Sequence, residues 1–262
     1  METKEKIAKY YDGYDEDERL VSKHGMVEYL TTMKYIETYL RPNVRILEIG
    51  AATGRYSHAL AQRGYRVDAV ELLEHNIELF QKNTVAGEPV TITQGNALDL
   101  SAFESNTYEI TLLLGPMYHL FTMEDQLKAL SEAIRVTKKG GILFAAYCMG
   151  DASVLSHGFV RGEIDSILED CGLNPETFDA FPHPWGIFKL NRKEDIDRLR
   201  SNFDVTPLHL VASDGYANHM RSTVDQMDDR MYALYLKYHF ATCERQDMMG
   251  YSHHILDIFQ KN

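Results

Sequence analysis

A chain of 262 residues is long enough to form one large domain with a full hydrophobic core. Its 39 acidic and 27 basic residues give a formal net charge of −12, which argues against a polyanionic partner because phosphate binding needs clustered Lys and Arg. The three cysteines, Cys148, Cys171 and Cys243, are scattered and odd in number; this fits a reducing cytosol and offers no metal or redox motif.

The N-terminus is charged and lacks the apolar stretch of a signal peptide, and no apolar run approaches membrane-spanning length. A cytoplasmic protein without nucleic-acid or membrane partners is therefore expected. The run Tyr10–Leu20 mixes aromatics with acids. After it, Met26, Val27, Leu30, Met33, Ile36 and Leu40 recur at helical spacing and stop at Pro42. Val44 to Ile49 reads as a short buried strand ended by the small-residue turn Gly50-Ala51-Ala52-Thr53-Gly54. A helix then starts near Arg55 and runs through Ala61 to a capping Gly64. A second strand, Arg66 to Val70, ends at Glu71 and Leu72, and the next helix carries Ile77, Leu79 and Phe80.

Further strands are expected at Val90–Thr93, Tyr108–Leu114 and Gly141–Tyr147. A helix bearing Leu127, Leu130, Ala133, Ile134 and Val136 lies between the last two. Val205–Val211 and His253–Phe259 complete the set. The alternation predicts an α/β fold, a doubly wound and mostly parallel sheet with helices on both faces. Residues 1–262 form a single domain in this reading, with a helical cover (1–42), a core (43–149), an insertion (150–190) and a C-terminal part (191–262). That last part holds a helical insertion, 213–250, with one long helix from Val224 to Glu244. Phe178, Phe181, His183, Trp185 and Phe188 crowd the first insertion, which favours a lid; the second reads as scaffold.

Strand, bare turn and helix make a cradle where a ligand can approach the backbone, and Glu71 can accept both hydroxyls of a ribose. The turn selects the nucleoside. A dinucleotide site wants G-x-G-x-x-G, but the matching residues are Gly50, Ala52 and Arg55. Glu48, Gly50, Ala52 and Gly54 instead resemble the first motif of class I S-adenosylmethionine (SAM)-dependent methyltransferases, acid-x-Gly-x-Gly-x-Gly. Ala52 is the departure. The resemblance spans Val44 to Tyr147, with weaker likeness at both ends, and implies a Rossmann-like doubly wound sheet with an antiparallel last strand, SAM as cofactor, S-adenosylhomocysteine as product and no metal.

The resemblance also implies roles for single residues. The cofactor set is Glu48, Gly50, Ala51, Ala52, Gly54, Glu71, Leu72, Asn96, Ala97, Leu114 and Gly115, with Tyr14 from the cover. Asn96 stands where the family usually has an acid that accepts from the adenine amino group; its structural alternative is an Asx-turn. Glu48 faces the methionine moiety through water in the family, or equally holds the turn through backbone N–H groups. Leu112-Leu-Leu-Gly-Pro-Met-Tyr-His-Leu120 resembles the small-molecule branch, with the carbonyls of Leu114 or Gly115 as acceptors for the ammonium of SAM.

The function implied is methyl transfer by in-line displacement to an O, N or S nucleophile of a small molecule. His119 is the candidate base because imidazole titrates near neutrality; His24 and His183 are alternatives. Tyr11, Arg19, His24, Tyr118, His119, His183 and Trp185 are the expected substrate contacts. Two other classes compete: a non-catalytic SAM-binding sensor or adaptor, and an NAD-dependent oxidoreductase. The chain is expected to be a monomer or a homodimer.

Overall fold

The computed structural model describes residues 3–11, 21–170, 172–180 and 186–262, without the side chains of residues 3, 4, 11 and 170. Tyr14, Arg19, Cys171, Phe181, His183 and Trp185 lie outside the described residues. The chain opens with α1 (Thr3–Tyr11) and α2 (Lys23–Tyr39). It then alternates through β1 (Arg45–Ile49), α3 (Arg55–Ala61), β2 (Arg66–Glu71), α4 (Glu74–Asn83), β3 (Val90–Gln94) and β4 (Tyr108–Leu113). Next come α5 (Met123–Val136), β5 (Thr137–Met149), α6 (Gly150–Ser153) and α7 (Ile164–Asp170). The C-terminal part holds β6 (Leu190–Asn191), α8 (Lys193–Arg200), β7 (Val205–Ala212), α9 (Arg221–Asp225), α10 (Asp229–Thr242) and β8 (His254–Lys261).

Among the described residues the strands form one sheet in the order β3-β2-β1-β4-β5-β8-β7, with β6 paired to the end of β5. Strands β1 to β5 are parallel to their neighbours, while β8 runs antiparallel to both β5 and β7, as expected of the last strand. The order reverses between β1 and β4, which opens a crevice at their carboxyl ends, where ligands bind in open α/β sheets.

Alternation along the strands feeds two cores. Leu47, Ile49, Leu113, Leu143 and Ala145 pack against Leu130 and Ala133 of α5 and Ile196 and Leu199 of α8. On the other face Ile46, Leu112, Phe144 and Leu256 meet Met33 and Ile36 of α2 and Leu60 of α3. Each fully buried aliphatic side chain contributes about 1.5–3 kcal/mol, so the strand pattern strongly fixes register. Helix α2 starts at Ser22, whose Oγ accepts from Gly25 N at 3.2 Å.

Two elements differ from their sequence reading. The helix expected over Val224–Glu244 is broken into α9 and α10, because Asp228 takes extended backbone and its carboxylate caps Met231 N at 2.7 Å. Strand β5 begins at Thr137 rather than Gly141: Thr137 pairs with Tyr108 across a register shift, and its hydroxyl bonds Thr111 at 2.7 Å. No helix of the described residues is long and apolar enough to cross a membrane.

Candidate cofactor and acceptor site

The turn after β1 is shaped by backbone geometry that side chains resist. Gly50 has φ +78°, and a Cβ there would lie 2.6 Å from Cδ of Pro116. Ala52 also lies in the left-handed region, at φ +47°, which explains why the family motif favours glycine at this position. Gly50 N and Ala51 N both donate to Val70 O, at 2.8 and 3.0 Å, tying the turn to β2. Gly54, at φ +91°, has no room for a Cβ, which would lie 2.6 Å from His58 Nε2 and Phe80, and it is not among the residues lining the cavity beside this turn.

Glu71 is buried, and its carboxylate gathers three donors. Oε2 accepts from Ala52 N at 2.9 Å, and Oε1 accepts from Leu73 N at 2.9 Å and Asn76 Nδ2 at 3.3 Å. One acid therefore joins the turn, the end of β2 and the start of α4, with lone-pair capacity remaining for a ligand diol. Glu48 is 2% exposed and accepts from the Ser57 hydroxyl. Burial pushes its carboxyl up to about 8, opposed by the Ser57 hydrogen bonds and reinforced by the charge of Glu71. Glu48 is thus substantially protonated at neutral pH. Asn96 closes an Asx-turn: Oδ1 accepts from Leu98 N at 3.0 Å, while its backbone oxygen accepts from Asp99 N.

A cavity of about 560 Å³ runs along this cradle. Glu48, Gly50, Ala51, Ala52, Glu71, Leu72, Asn96, Ala97, Leu114, Gly115, Tyr118 and His119, all expected at the site, line it together. Of the described candidates, His24 lies elsewhere: it is not among the lining residues, and its Nδ1 is 2.8 Å from Asp225 Oδ2. Tyr11 ends α1, and the neighbouring Ile7 lines the cavity.

The segment after β4 places the two ring residues. A 3-10 turn, Pro116–His119, presents Tyr118, whose hydroxyl donates to Leu114 O at 3.1 Å. His119 Nδ1 is 2.9 Å from Ile187 O; a carbonyl only accepts, so Nδ1 carries the proton and Nε2 is the basic atom of the neutral ring. Burial pushes the His119 pKa down, with the Ile187 bond opposing. Lys189 N donates to Tyr118 O at 2.7 Å, and Phe188 packs 5.5 Å from the His119 ring and 5.9 Å from Tyr118. Tyr10 of α1 meets the same Phe188 edge-on at 5.5 Å. The returning end of the first insertion and the N-terminal helix therefore meet beside His119.

Sequence reading missed the far wall. Glu28 and Thr32, one turn apart on α2, line the cavity with Asn76, Ala146, Ser213 and Leu256. The available signal was two polar residues at i, i+4 on an otherwise apolar helix face. Behind them His254 Nδ1 lies 2.8 Å from Asp214 Oδ2 and 3.4 Å from Glu28 Oε2. Burial opposes charge on this imidazole, but Glu28, Cys148 and Asp214 outweigh it and raise its pKa well above the ordinary value.

Fold and cradle together define a Rossmann-like α/β protein. Residues 47–145 match the family model described as a methyltransferase domain. Among curated proteins, the chain is 26% identical over 110 residues to YqeM of Bacillus subtilis, provisionally named a methyltransferase, covering 42% of this chain and 44% of that one. It is 31% identical over 97 residues to the demethylmenaquinone methyltransferase of Clavibacter sepedonicus, covering 37% of this chain and 38% of that one. The chain thus spans less than half the length of these curated relatives. Among solved structures, the PH0226 protein of Pyrococcus horikoshii superposes with a TM-score of 0.61 at 13% identity, covering 97% and 99% of the two chains. Magnesium protoporphyrin IX methyltransferase of Synechocystis, solved with bound S-adenosylhomocysteine, gives 0.58 at 12%, covering 98% of this chain and 94% of that one. These matches support a class I SAM-dependent methyltransferase domain over residues 47–145.

Proposed function

We propose that the protein transfers a methyl group from SAM to a small-molecule acceptor with an O, N or S nucleophile. One observation carries the reading: a single cavity is lined by the Gly50–Ala52 cradle and Glu71 and also by Leu114, Tyr118 and His119. A cofactor alone needs the first group; a reaction needs the second.

The residues present fit the cofactor. Gly50, Ala51 and Ala52 line the cavity with little or no side chain, so ligand atoms can come close to their backbone. Glu71 would hold the ribose, Leu72, Asn96 and Ala97 would line the base, and Leu114 and Gly115 carbonyls would receive the ammonium. SAM, when bound, supplies an already activated methyl group. The chain's own task is then to align the acceptor and exclude water, effects that supply about 7–11 kcal/mol in favourable cases. His119, neutral and protonated on Nδ1, can take a proton at Nε2 from a hydroxyl or thiol acceptor. Residues 1–42 and the insertion 150–190 act as covers in this reading, supported by the meeting of Tyr10 and Phe188 beside His119.

The test is incubation with methyl-labelled SAM and a fractionated extract of low-molecular-weight metabolites. Transfer of label into that pool supports the reading. SAM binding without any transfer would favour a sensor or adaptor.

A further inference from the structure

The cavity wall at Glu28 belongs to a charged cluster, with His254 and Asp214, that the cofactor reading does not use. Among the described residues the cavity is lined by the carboxylates of Glu28, Glu48, Glu71 and Asp125 and by one guanidinium, Arg55. Glu71 collects N–H groups at the ribose end, Glu48 is held by Ser57, and Asp125 belongs to the N-cap of α5 through Thr122 Oγ1 at 2.8 Å. Glu28 is the carboxylate of the wall opposite, beside Thr32 and Ser213.

Its setting is built rather than incidental. The His254 imidazole bridges Glu28 and Asp214 through Nδ1, at 3.4 and 2.8 Å. Asp214 is fully buried and takes further bonds from the Ser252 hydroxyl, from Asn218 Nδ2 at 2.5 Å and from His254 N at 3.2 Å. Asp214 is therefore held by four hydrogen bonds, one of them from His254 Nδ1, and the same imidazole lies within ion-pair distance of the Glu28 carboxylate. The Tyr118 ring, 6.5 Å from that of His254, joins this cluster to the cavity.

The nature of the nucleophile decides what a fixed carboxylate does there. In transfer to a neutral amine, the nitrogen lone pair forms the new N–C bond as the C–S bond breaks with its pair retained by sulfur. Positive charge thus moves from sulfur to nitrogen, and the ammonium product then gives up a proton to a base or to water. A carboxylate beside that nitrogen interacts more strongly with the transition state than with the neutral amine, which is the condition for catalysis. A hydroxyl or thiol must instead become an anion, which a neighbouring carboxylate opposes.

Resting on the methyltransferase reading above, we propose that the methyl acceptor is an amine held at Glu28, with His254 and Asp214 as positioning residues for that carboxylate. The elevated His254 pKa agrees with this, since a charged imidazole is what two carboxylates hold.

The test uses the full chain saturated with S-adenosylhomocysteine and ligand-observed NMR with benzylamine, benzyl alcohol, benzyl mercaptan and benzoate, then the matching phenethyl series. Amines are expected to bind at least tenfold tighter than their alcohol, thiol and carboxylate counterparts. Glu28→Gln should abolish that preference while S-adenosylhomocysteine affinity stays within twofold, and Glu28→Asp should retain part of it. His254→Gln should weaken the amine preference; a lower melting temperature with the preference intact would assign His254 a purely structural role and overturn its part. Absence of amine binding, a preference for benzoate, or an unchanged preference in Glu28→Gln overturns the proposal. Failure of S-adenosylhomocysteine itself to bind would count against the cofactor reading instead.

Discussion

Glu71→Ala should damage stability and cofactor binding together, because one carboxylate serves both. In the fold it accepts from the backbone N–H groups of Ala52 and Leu73, each at 2.9 Å, and from Asn76 at 3.3 Å. A hydrogen bond to a charged group is worth about 1.5–3 kcal/mol. Ala52 and Leu73 both line the cavity, where water can replace the lost acceptor, so the lower end applies to each. The two backbone bonds then sum to about 3 kcal/mol, a large share of the 5–15 kcal/mol typical of a domain. At about 2–4 °C per kcal/mol for a chain of this size, the melting temperature should fall by roughly 6–12 °C. Loss of the ribose diol contacts adds a comparable penalty to binding, about 100-fold in SAM affinity at 1.4 kcal/mol per tenfold. Thermal melts and SAM titration on the same preparations provide the check. A melting shift below 2 °C with SAM affinity changed less than threefold would refute the reasoning.

Opposite outcomes are expected at two positions of the turn. Gly50→Ala puts a Cβ 2.6 Å from Pro116 at φ +78° and should cost about 2–5 kcal/mol, whereas Ala52→Gly relieves φ +47° and should gain about 0.5–1 kcal/mol after the unfolded-state entropy is subtracted; urea unfolding measures both. His119→Asn should leave SAM affinity within threefold but lower turnover on a hydroxyl or thiol acceptor by about 10²–10⁴, the range of general-base catalysis, and single-turnover kinetics separates the two effects.

Stability should fall between pH 6.5 and 8. Burial raises Glu48 to about 8 and Asp257 to about 7, so the folded state holds protons there that the unfolded chain has released, and His254, also raised, acts in the same direction. The imidazoles lowered by burial, His239 and His253 at about 4, influence only the range below their unfolded value near 6.5. Urea unfolding at pH 6.5 and 8 should therefore show a loss of about 1 kcal/mol or more, and Glu48→Gln should flatten it; a rise in stability over that interval would contradict the assignment.

Much of the fold was legible because its signals are local. Apolar runs of five or six residues between turn signals marked β1, β2 and β4, and the 3.6-residue period marked α2 and α5. The cradle was legible for the same reason, since Glu48 to Glu71 is one contiguous strand-turn-helix-strand unit. The far wall was not, because Glu28, Asp214 and His254 are separated by some 40 to 225 residues and meet only when β8 inserts antiparallel between β5 and β7. His24 illustrates the converse. It stands on the same helix as Glu28 but four residues earlier, beyond the cavity, and pairs with Asp225. The break at Asp228 escaped notice because residues on both sides have helical pattern, and only the capping geometry reveals the stop.

Calorimetric titration of the purified, ligand-free protein with SAM, S-adenosylhomocysteine and NAD tests the central claim most directly. Saturable one-to-one binding of the first two and none of NAD is the predicted result. Binding of NAD alone, or of none of the three by protein shown to be folded, would contradict it.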